Sequence, residues 1–333
     1  MLRCYRSPRR KANRLSVMPK IQVISKFALA LASSMVLFLS GIGLPPLGVI
    51  AFPFVAQPAL LFGLKYGISG GIGLLCVAIL LFVIFATNEL ALVYGVFAAL
   101  AGLLLGLLGR IRAIEYLVGT IATIMLAIAG IIALESYGSW SLMSQDVHRG
   151  LTEQVMSAIR MQEHLGLPSD SLDLLKTQMP LMIDRMVQLL PALVFLIFAF
   201  ITLVNVLYLL RRFPERRGHW FSLVSLREWK APEQLVWALI ACGFILFIPG
   251  LDSIRSIAFN LLLVIGALYF AQGLAVIGFF FAKNKVPRFL RGLTYVLIVF
   301  QQIFTLVVVG LGLFDLWGDF RRLRKDKLTS QAS

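Results

Sequence analysis

The chain alternates between long apolar runs and short polar clusters, and this pattern indicates its fold class. A helix needs about 20 apolar residues to cross the hydrocarbon core of a bilayer. Nine runs approach that length, at residues 27–43, 48–64, 67–86, 89–109, 113–134, 188–210, 234–249, 254–282 and 293–314. The sequence therefore predicts an all-α, polytopic transmembrane helical bundle of eight to nine spans.

The same pattern divides the chain into five segments. They are a basic cytoplasmic arm at 1–26, a five-span N-terminal helical block at 27–134, an extracytoplasmic segment at 135–187, C-terminal membrane helices at 188–316, and a polar basic tail at 317–333. The second run of the N-terminal block contains Pro53 and Pro58. Because proline removes a backbone donor and kinks a helix, we expect this span to be broken or partly re-entrant.

The segment 135–187 carries apolar residues at helical spacing and predicts two amphipathic helices. One face holds Leu151, Val155 and Ile159, and a second holds Leu172, Leu175, Met179, Met182 and Met186. These faces can lie on the bilayer, cover a cavity, meet a partner or pack against the bundle. Packing against the bundle is the interpretation we favour.

Charge adds an orientation to the pattern. The chain is 59% hydrophobic, is 14% charged, and has a net charge of +15. The Lys and Arg residues cluster at the ends of apolar runs, where basic residues resist translocation and attract anionic lipid headgroups. The charge therefore indicates an inner (plasma) membrane protein with a cytoplasmic N-terminus, in contact with the lipid bilayer and not with nucleic acid.

The C-terminus is the point where this rule and the span count disagree. If residues 293–314 cross the membrane as a ninth span, the basic tail is placed outside, with Arg321, Arg322, Arg324, Lys325 and Lys327. Terminal positive charge can be overridden by earlier signals. Eight spans and nine therefore stay open, and we favour nine.

No catalytic constellation is visible. The chain has isolated histidines, no phosphate-binding loop, and no nucleophile–base pattern. We therefore expect no enzymatic activity, no cofactor and no metal site. Lys65, Glu89 and Glu115 lie at or near the predicted span ends. Because ionisable residues inside a membrane are functional candidates, their apparent absence at mid-depth argues against a charged coupling site.

Neutral amides are more frequent inside the predicted spans. They are Gln57, Asn205, Asn260, Gln272 and Gln301, followed directly by Gln302. An amide in hydrocarbon is costly unless it is hydrogen-bonded. The first five therefore either form hydrogen bonds between helices or line a polar pocket for a small neutral solute.

Small residues four apart form a second pattern. They are Ala28 and Ala32 in the first span, Gly63, Gly67 and Gly71 around the second connection, and Gly102 and Gly106 in the fourth span. Such spacing lets helix backbones approach closely. The residues serve packing within the chain or docking against a membrane partner subunit.

Three segments of the C-terminal half carry a family resemblance. The stretch 260–273, continuing to the Tyr-Phe-Ala-Gln-Gly-Leu-Ala sequence at 269–275, resembles the YybS-like family of bacterial membrane proteins of unknown function. The stretches 229–233 and 311–321 are similar to that family as well. The resemblance covers nearly the whole chain after the basic arm and implies no particular activity.

The first six spans also resemble the substrate-binding membrane subunits of energy-coupling-factor vitamin transporters. That likeness implies that Ala28 and Ala32 dock a shared membrane subunit and that a pocket opens to the outer face. A rod-shape scaffold protein offers an equally fair analogy, since fold likeness alone assigns no function. The sequence thus leaves two hypotheses: a small-solute-binding transport subunit that depends on partner subunits, and a non-catalytic membrane scaffold or assembly protein.

Overall fold

A computed structural model describes residues 20–164, 169–221, 226–250 and 252–321. The described residues form an all-helical protein without a named strand. The helices are α1 Lys20–Gly43, α2 Pro45–Ala51, α3 Gln57–Tyr66, α4 Ile68–Phe85, α5 Asn88–Leu107, α6 Ile114–Tyr137, α7 Trp140–His164, α8 Ser169–Gln188, α9 Leu190–Arg212, α10 Arg217–Trp220, α11 Leu235–Phe247, α12 Asp252–Lys283, α13 Arg288–Phe300 and α14 Gln302–Gly318. Most of the basic arm, up to residue 19, and the tail after Arg321 lie outside the described residues.

Seven segments of the described chain are long and apolar enough to cross a membrane. They are Gln22–Gly43, Leu47–Tyr66, Ile68–Phe85, Asn88–Leu107, Ile114–Tyr137, Leu190–Arg212 and Ile254–Lys283. The pair α13 and α14 makes an eighth if it is taken as one span, although the two helices bend by 104°. The remaining predicted span, 234–249, forms the shorter apolar helix α11 of 13 residues. The polytopic helical bundle predicted from the sequence is confirmed.

The chain separates into two compact units. Unit 1 contains residues 1–112 and 201–216, and unit 2 contains 113–200 and 217–333. The helix α9 contributes its second half to unit 1 and its first half to unit 2.

Unit 1 is built around a broken second span. After α2, a 3₁₀ turn at Phe52–Phe54 interrupts the helix, and α3 begins at Gln57. Pro53 and Pro58 lie at this interruption, as the sequence predicts. Aromatic rings fill the interior beside it. The Phe38 ring lies 5.3 Å from Tyr94 and 5.1 Å from Phe82 between ring centroids, both in edge-to-face geometry.

Glycines form the tight connection between α3 and α4. Gly67 has a φ of +117°, which L side chains rarely adopt, so glycine is required at this turn. A Cβ atom on Gly71 would lie 2.8 Å from the Cα of Gly63 and 2.9 Å from a methyl group of Leu105. Glycine at both positions therefore allows α3 and α4 to approach backbone to backbone within the chain.

Unit 2 is organised by the long helix α12. Its 32 residues correspond to about 48 Å at 1.5 Å per residue, which exceeds the thickness of a hydrocarbon core. Helix α14 crosses α12 where Gly273 and Gly312 meet. A Cβ atom on Gly273 would overlap the carbonyl oxygen of Val308, and one on Gly312 would overlap that of Tyr269. Two glycines thus make this backbone-to-backbone crossing of α12 and α14 possible.

The segment 135–187 forms α7 and most of α8, so its two predicted helices are present. Ile159 is buried, and Leu151 and Val155 are half-buried, as expected for a packed face. In α8 the packed face differs from the prediction. Ile183 is buried, whereas Met182 and Met186 are 55% and 46% exposed. The predicted face is therefore rotated, and the side chains of Leu172 and Leu175 lie outside the described set.

Candidate functional site

The break in the second span exposes backbone carbonyls that need donors from elsewhere. The Ser34 hydroxyl donates to the carbonyl of Val55 at 2.8 Å, and the Tyr94 hydroxyl lies 2.8 Å from the same Ser34 oxygen. Because the Ser34 proton is used, Tyr94 donates to Ser34. The Asn205 side-chain nitrogen donates to the carbonyl of Pro53 at 2.8 Å. Irregular backbone at membrane depth is thus satisfied by side chains, as lipid requires.

Three buried side chains near this break keep unmet hydrogen-bonding capacity. Gln57 is 5% exposed, and neither its Oε1 nor its Nε2 has a hydrogen-bond partner among the described residues. The Thr202 hydroxyl and the Asn205 Oδ1 are also buried without a partner. Buried polar atoms are satisfied in the large majority of cases, so each exception needs an explanation. We call Gln57, Thr202 and Asn205 the broken-span cluster.

The side chains of the broken-span cluster are uncharged and can both donate and accept hydrogen bonds. Gln57 and Thr202 each lie about one helical turn from the two residues joined by the Asn205–Pro53 hydrogen bond. Gln57 is also the first residue of α3. An amide, a hydroxyl and a carbonyl oxygen together offer donors and acceptors to a small polar molecule.

The other predicted pocket residues have different surroundings. Asn260 accepts a hydrogen bond from the backbone N–H of Ala192 and donates to the carbonyls of Gln188 and Ser256, so it ties the start of α9 to α12. Gln301 is exposed at the break between α13 and α14. Gln272 lies in a separate polar cluster of unit 2. The structure therefore brings only Gln57 and Asn205, out of the five predicted residues, to one place.

The polar cluster of unit 2 contains a fully buried ion pair. The Arg321 Nη2 lies 2.6 Å from the Asp315 Oδ2, and neither side chain is exposed to solvent. Gln272 donates to the same carboxylate oxygen at 3.2 Å. Within the described part of the chain, the Asp315 Oδ1, the Arg321 Nε and the Tyr269 hydroxyl have no hydrogen-bond partner. We call Gln272, Asp315 and Arg321 the C-terminal cluster.

The loop 227–231 completes this cluster. Arg321 donates to the carbonyls of Arg227 and Trp229, and the backbone N–H of Ala231 donates to Gln272 at 3.0 Å. The ammonium group of Lys230 lies 2.7 Å from the Asp319 carboxylate. Gln272 is twelve residues beyond Asn260 and eleven before Lys283, about 18 and 16 Å along α12. The cluster therefore contacts the middle part of this long helix.

Asp315 corrects one expectation from the sequence. Carboxylates were expected only at span ends, but in the described residues Asp315 is buried inside the α12–α14 pair. The predicted last span ends at residue 314, which places Asp315 directly after the span. The available signal was a single acid between apolar turns, at 302–318, of a helix that continues past it. Arg321 and Thr202 were missed as well.

The small residues fall into two groups. Gly63 and Gly71 contact each other, and Gly67 makes the turn between them. By contrast, Ala28 and Ala32 are exposed on α1, and Cβ atoms on Gly102 or Gly106 would meet nothing within 4 Å. The first group serves packing within unit 1. The second group stays a prediction for docking.

Two adjoining surface pockets of unit 2 lie between α7, α8 and the starts of α9 and α12. Their volumes are about 300 and 530 Å³, and they share Ser144, Val187 and Gln188. At the rim of the smaller pocket, the His148 Nε2 lies 3.2 Å from the Asp184 Oδ1. The vitamin-transporter likeness places its pocket among the first six spans, and of these only the sixth, 188–210, contributes to the lining, through Gln188 and Pro191.

These features define a multi-pass helical membrane protein with two buried polar clusters. A family model described as "Predicted membrane protein (DUF2232)" matches residues 32–316. The chain belongs to this family. The match confirms the membrane assignment and attaches no activity to it.

One relative supports the resemblance read from the sequence. The uncharacterized protein YybS of Bacillus subtilis (strain 168) is 22% identical over 314 residues, covering 90% of this chain and 97% of that protein. No solved structure matches the chain. The three stretches that carry the YybS-like resemblance meet in the structure, because 229–231, Gln272 and 315–321 supply the bonds of the C-terminal cluster.

Proposed function

We propose that this membrane protein binds a small neutral polar solute at the broken-span cluster and acts as a non-enzymatic transport subunit that depends on a partner. The observation that carries the proposal is Gln57, whose amide is buried with both polar atoms unpaired. A buried unpaired polar group costs about 1–3 kcal/mol. A bound solute that accepts and donates hydrogen bonds removes that cost.

Two further features support a binding role at this position. The cluster lies at an interrupted span, and its carbonyls at Pro53 and Val55 are already satisfied by Asn205 and Ser34. The backbone carbonyls at the break therefore have hydrogen-bond donors without a ligand, whereas the side chain of Gln57 needs a ligand to form hydrogen bonds. The cluster also contains no charged residue, which favours an uncharged solute.

The test compares Gln57→Leu with the unsubstituted full chain, both gently purified and studied by native mass spectrometry. We expect the unsubstituted chain to retain a small molecule and the variant to lose it. Gln301→Leu is a matched control, because it removes the same amide from an exposed position. The control is expected to retain the molecule.

The melting temperature shows whether the proposal is wrong. If Gln57 meets only water or no group at all, Gln57→Leu removes an unpaired amide and raises the melting temperature of the solute-free protein. A rise of that kind, with no small molecule retained by any of the three proteins, would falsify the proposal. Thr202→Val provides a second variant in case Gln57→Leu does not fold.

The partner and the orientation belong to the same proposal. The exposed Ala28 and Ala32 on α1 are the proposed docking positions, and the basic clusters support a cytoplasmic N-terminus in the inner membrane. Substitution of both alanines by leucine is expected to abolish co-purification of membrane subunits. Ala86→Leu, exposed just after α4, is the control. Equal co-purification from both variants would count against docking at α1.

A membrane scaffold is the second candidate function. The observation that favours it is a set of exposed apolar side chains on the two amphipathic helices, namely Leu142, Met161, Leu181, Met182 and Met186. Exposed apolar patches mark contacts with proteins or membranes. If this function is correct, Leu181→Ser and Met182→Ser together reduce recovery of crosslinked protein partners from intact cells, while solute retention is unchanged.

A further inference from the structure

We infer that α13 and α14 form a re-entrant pair, which enters and leaves the bilayer on the side of the loop 227–231. The buried Asp315–Arg321 ion pair holds the end of this pair against that loop. This inference concerns the path of the C-terminus and is independent of solute binding.

The beginning of the pair is attached to the C-terminal end of α12. The Arg291 guanidinium donates to the carbonyls of Val286 and Phe281, at 2.8 and 3.2 Å. The Tyr295 and Phe281 rings lie 5.8 Å apart between centroids. The Tyr295 hydroxyl also approaches Gly278, at 3.6 Å from the position of an added Cβ.

The end of the pair returns to the same neighbourhood. Asp319 pairs with Lys230, and Arg321 donates to the carbonyls of Arg227 and Trp229. Arg227 itself packs on Gly278, with its Cγ 3.8 Å from an added Cβ there. One short loop thus contacts both the part of α12 against which α13 packs and the residues where α14 ends.

The geometry of the pair agrees with a return. A straight helix from Arg288 to Gly318 would extend about 46 Å, enough to separate its ends by a whole membrane. The pair instead bends by 104° after Phe300. At the bend, the Thr305 hydroxyl donates to the carbonyl of Ile298 at 2.8 Å, which satisfies backbone that the break leaves without a helical partner.

The charged residues at the end of α14 favour the re-entrant path. Moving the end of α14 to the opposite membrane surface would separate Asp319 from Lys230, and Arg321 from the carbonyls of Arg227 and Trp229. A charge that is largely buried is destabilising when it loses its partner. The path also places the basic tail on the side of the basic loops 211–230 and 283–291, which removes the conflict between the span count and the charge rule.

The test is the accessibility of single cysteines in the full-length chain, with Cys4, Cys76 and Cys242 replaced by alanine. Ser333→Cys reports the C-terminus, Ser225→Cys reports the side of the loop, and Ser157→Cys reports the side of α7. A membrane-impermeant maleimide is added to inside-out vesicles and, separately, to intact spheroplasts. We expect Ser333→Cys to be labelled in the same preparation as Ser225→Cys. Labelling in the opposite preparation overturns the inference.

A second measurement is independent of the labelling of the tail. Lys230→Cys and Asp319→Cys, combined in the same cysteine-free chain, are expected to be joined by a short bismaleimide in intact membranes, because the wild-type side chains lie 2.7 Å apart. The matched control combines Lys230→Cys with Ser157→Cys. Joining of the control pair in preference to the first pair contradicts the structure on which the inference rests.

Discussion

The guanidinium of Arg321 and the carboxylate of Asp315 lie 2.6 Å apart with both side chains fully buried. The two residues are six positions apart, on either side of the end of α14. Their pairing makes the chain after the helix fold back onto its last turns. The free energy of such a pair depends strongly on whether one partner or both are removed.

The destabilising effects of substituting the two members of this pair should therefore not be additive. Asp315→Leu and Arg321→Leu each leave one buried charge uncompensated, at a cost of about 3–5 kcal/mol. We expect the double variant to be destabilised by less than the sum of the two. Melting temperatures in detergent at one fixed scan rate measure all four proteins.

The Lys230–Asp319 pair is the internal comparison. Its side chains are 24% and 17% exposed, so water screens it more than the buried pair. The coupling between Lys230→Leu and Asp319→Leu is expected to be about 1 kcal/mol or less. Strictly additive effects at Asp315 and Arg321 would show that the buried pair has no such coupling.

Features that depend on neighbouring residues in the chain were predictable from the sequence, and contacts between distant residues were not. Helices and the break at Pro53 and Pro58 were predictable, because apolar runs and proline act through local backbone chemistry. Asp315 and its partner Arg321 were not. Their burial depends on α12 and the loop 227–231, which are distant in sequence.

The glycines at the α12–α14 crossing give a prediction about packing. An added methyl group at Gly273 or Gly312 overlaps a backbone carbonyl of the other helix, and backbone cannot rotate out of the way. We expect Gly273→Ala and Gly312→Ala to lower stability by about 1–3 kcal/mol, as overpacking does. Gly310→Ala lies on the same helix with nothing within 4 Å of the new methyl group.

That control should leave the melting temperature unchanged or slightly raised, because alanine has the higher helix propensity. Equal losses at Gly310 and Gly312 would indicate that the crossing is less close than described. The measurement is thermal unfolding of the purified full chain in one detergent.

The hydroxyls in unit 1 predict an asymmetry between two conservative substitutions. Ser34→Ala removes the donor to the Val55 carbonyl and the acceptor for Tyr94, whereas Tyr94→Phe removes only one donor. We expect Ser34→Ala to cost about 1–3 kcal/mol and Tyr94→Phe clearly less. If Tyr94→Phe is the more damaging of the two, the assigned direction of donation is wrong.

The amides show why a residue type alone does not define a pocket. Gln57, Asn205, Asn260 and Gln272 were equivalent in the sequence, as single amides in apolar runs. In the structure, Asn260 and Gln272 form hydrogen bonds with the backbone or side chains of other elements, and both polar atoms of Gln57 have no partner in the described ranges. The difference depends on neighbours that are distant in sequence.

Asn260 is accordingly predicted to be a structural residue. Its Oδ1 accepts a hydrogen bond from the Ala192 N–H at 2.9 Å. This N–H lies in the first turn of α9, where backbone donors have no partner within the helix. The Asn260 Nδ2 donates to the Gln188 carbonyl at 2.8 Å. Asn260→Asp keeps an acceptor for Ala192 and loses the donor, whereas Asn260→Leu loses both. We therefore expect melting temperatures in the order wild type, then Asp, then Leu, with a total loss equivalent to about 1–3 kcal/mol. Solute retention at Gln57 should be unaffected in Asn260→Asp, and loss of a retained molecule from this variant would show that Asn260 takes part in binding.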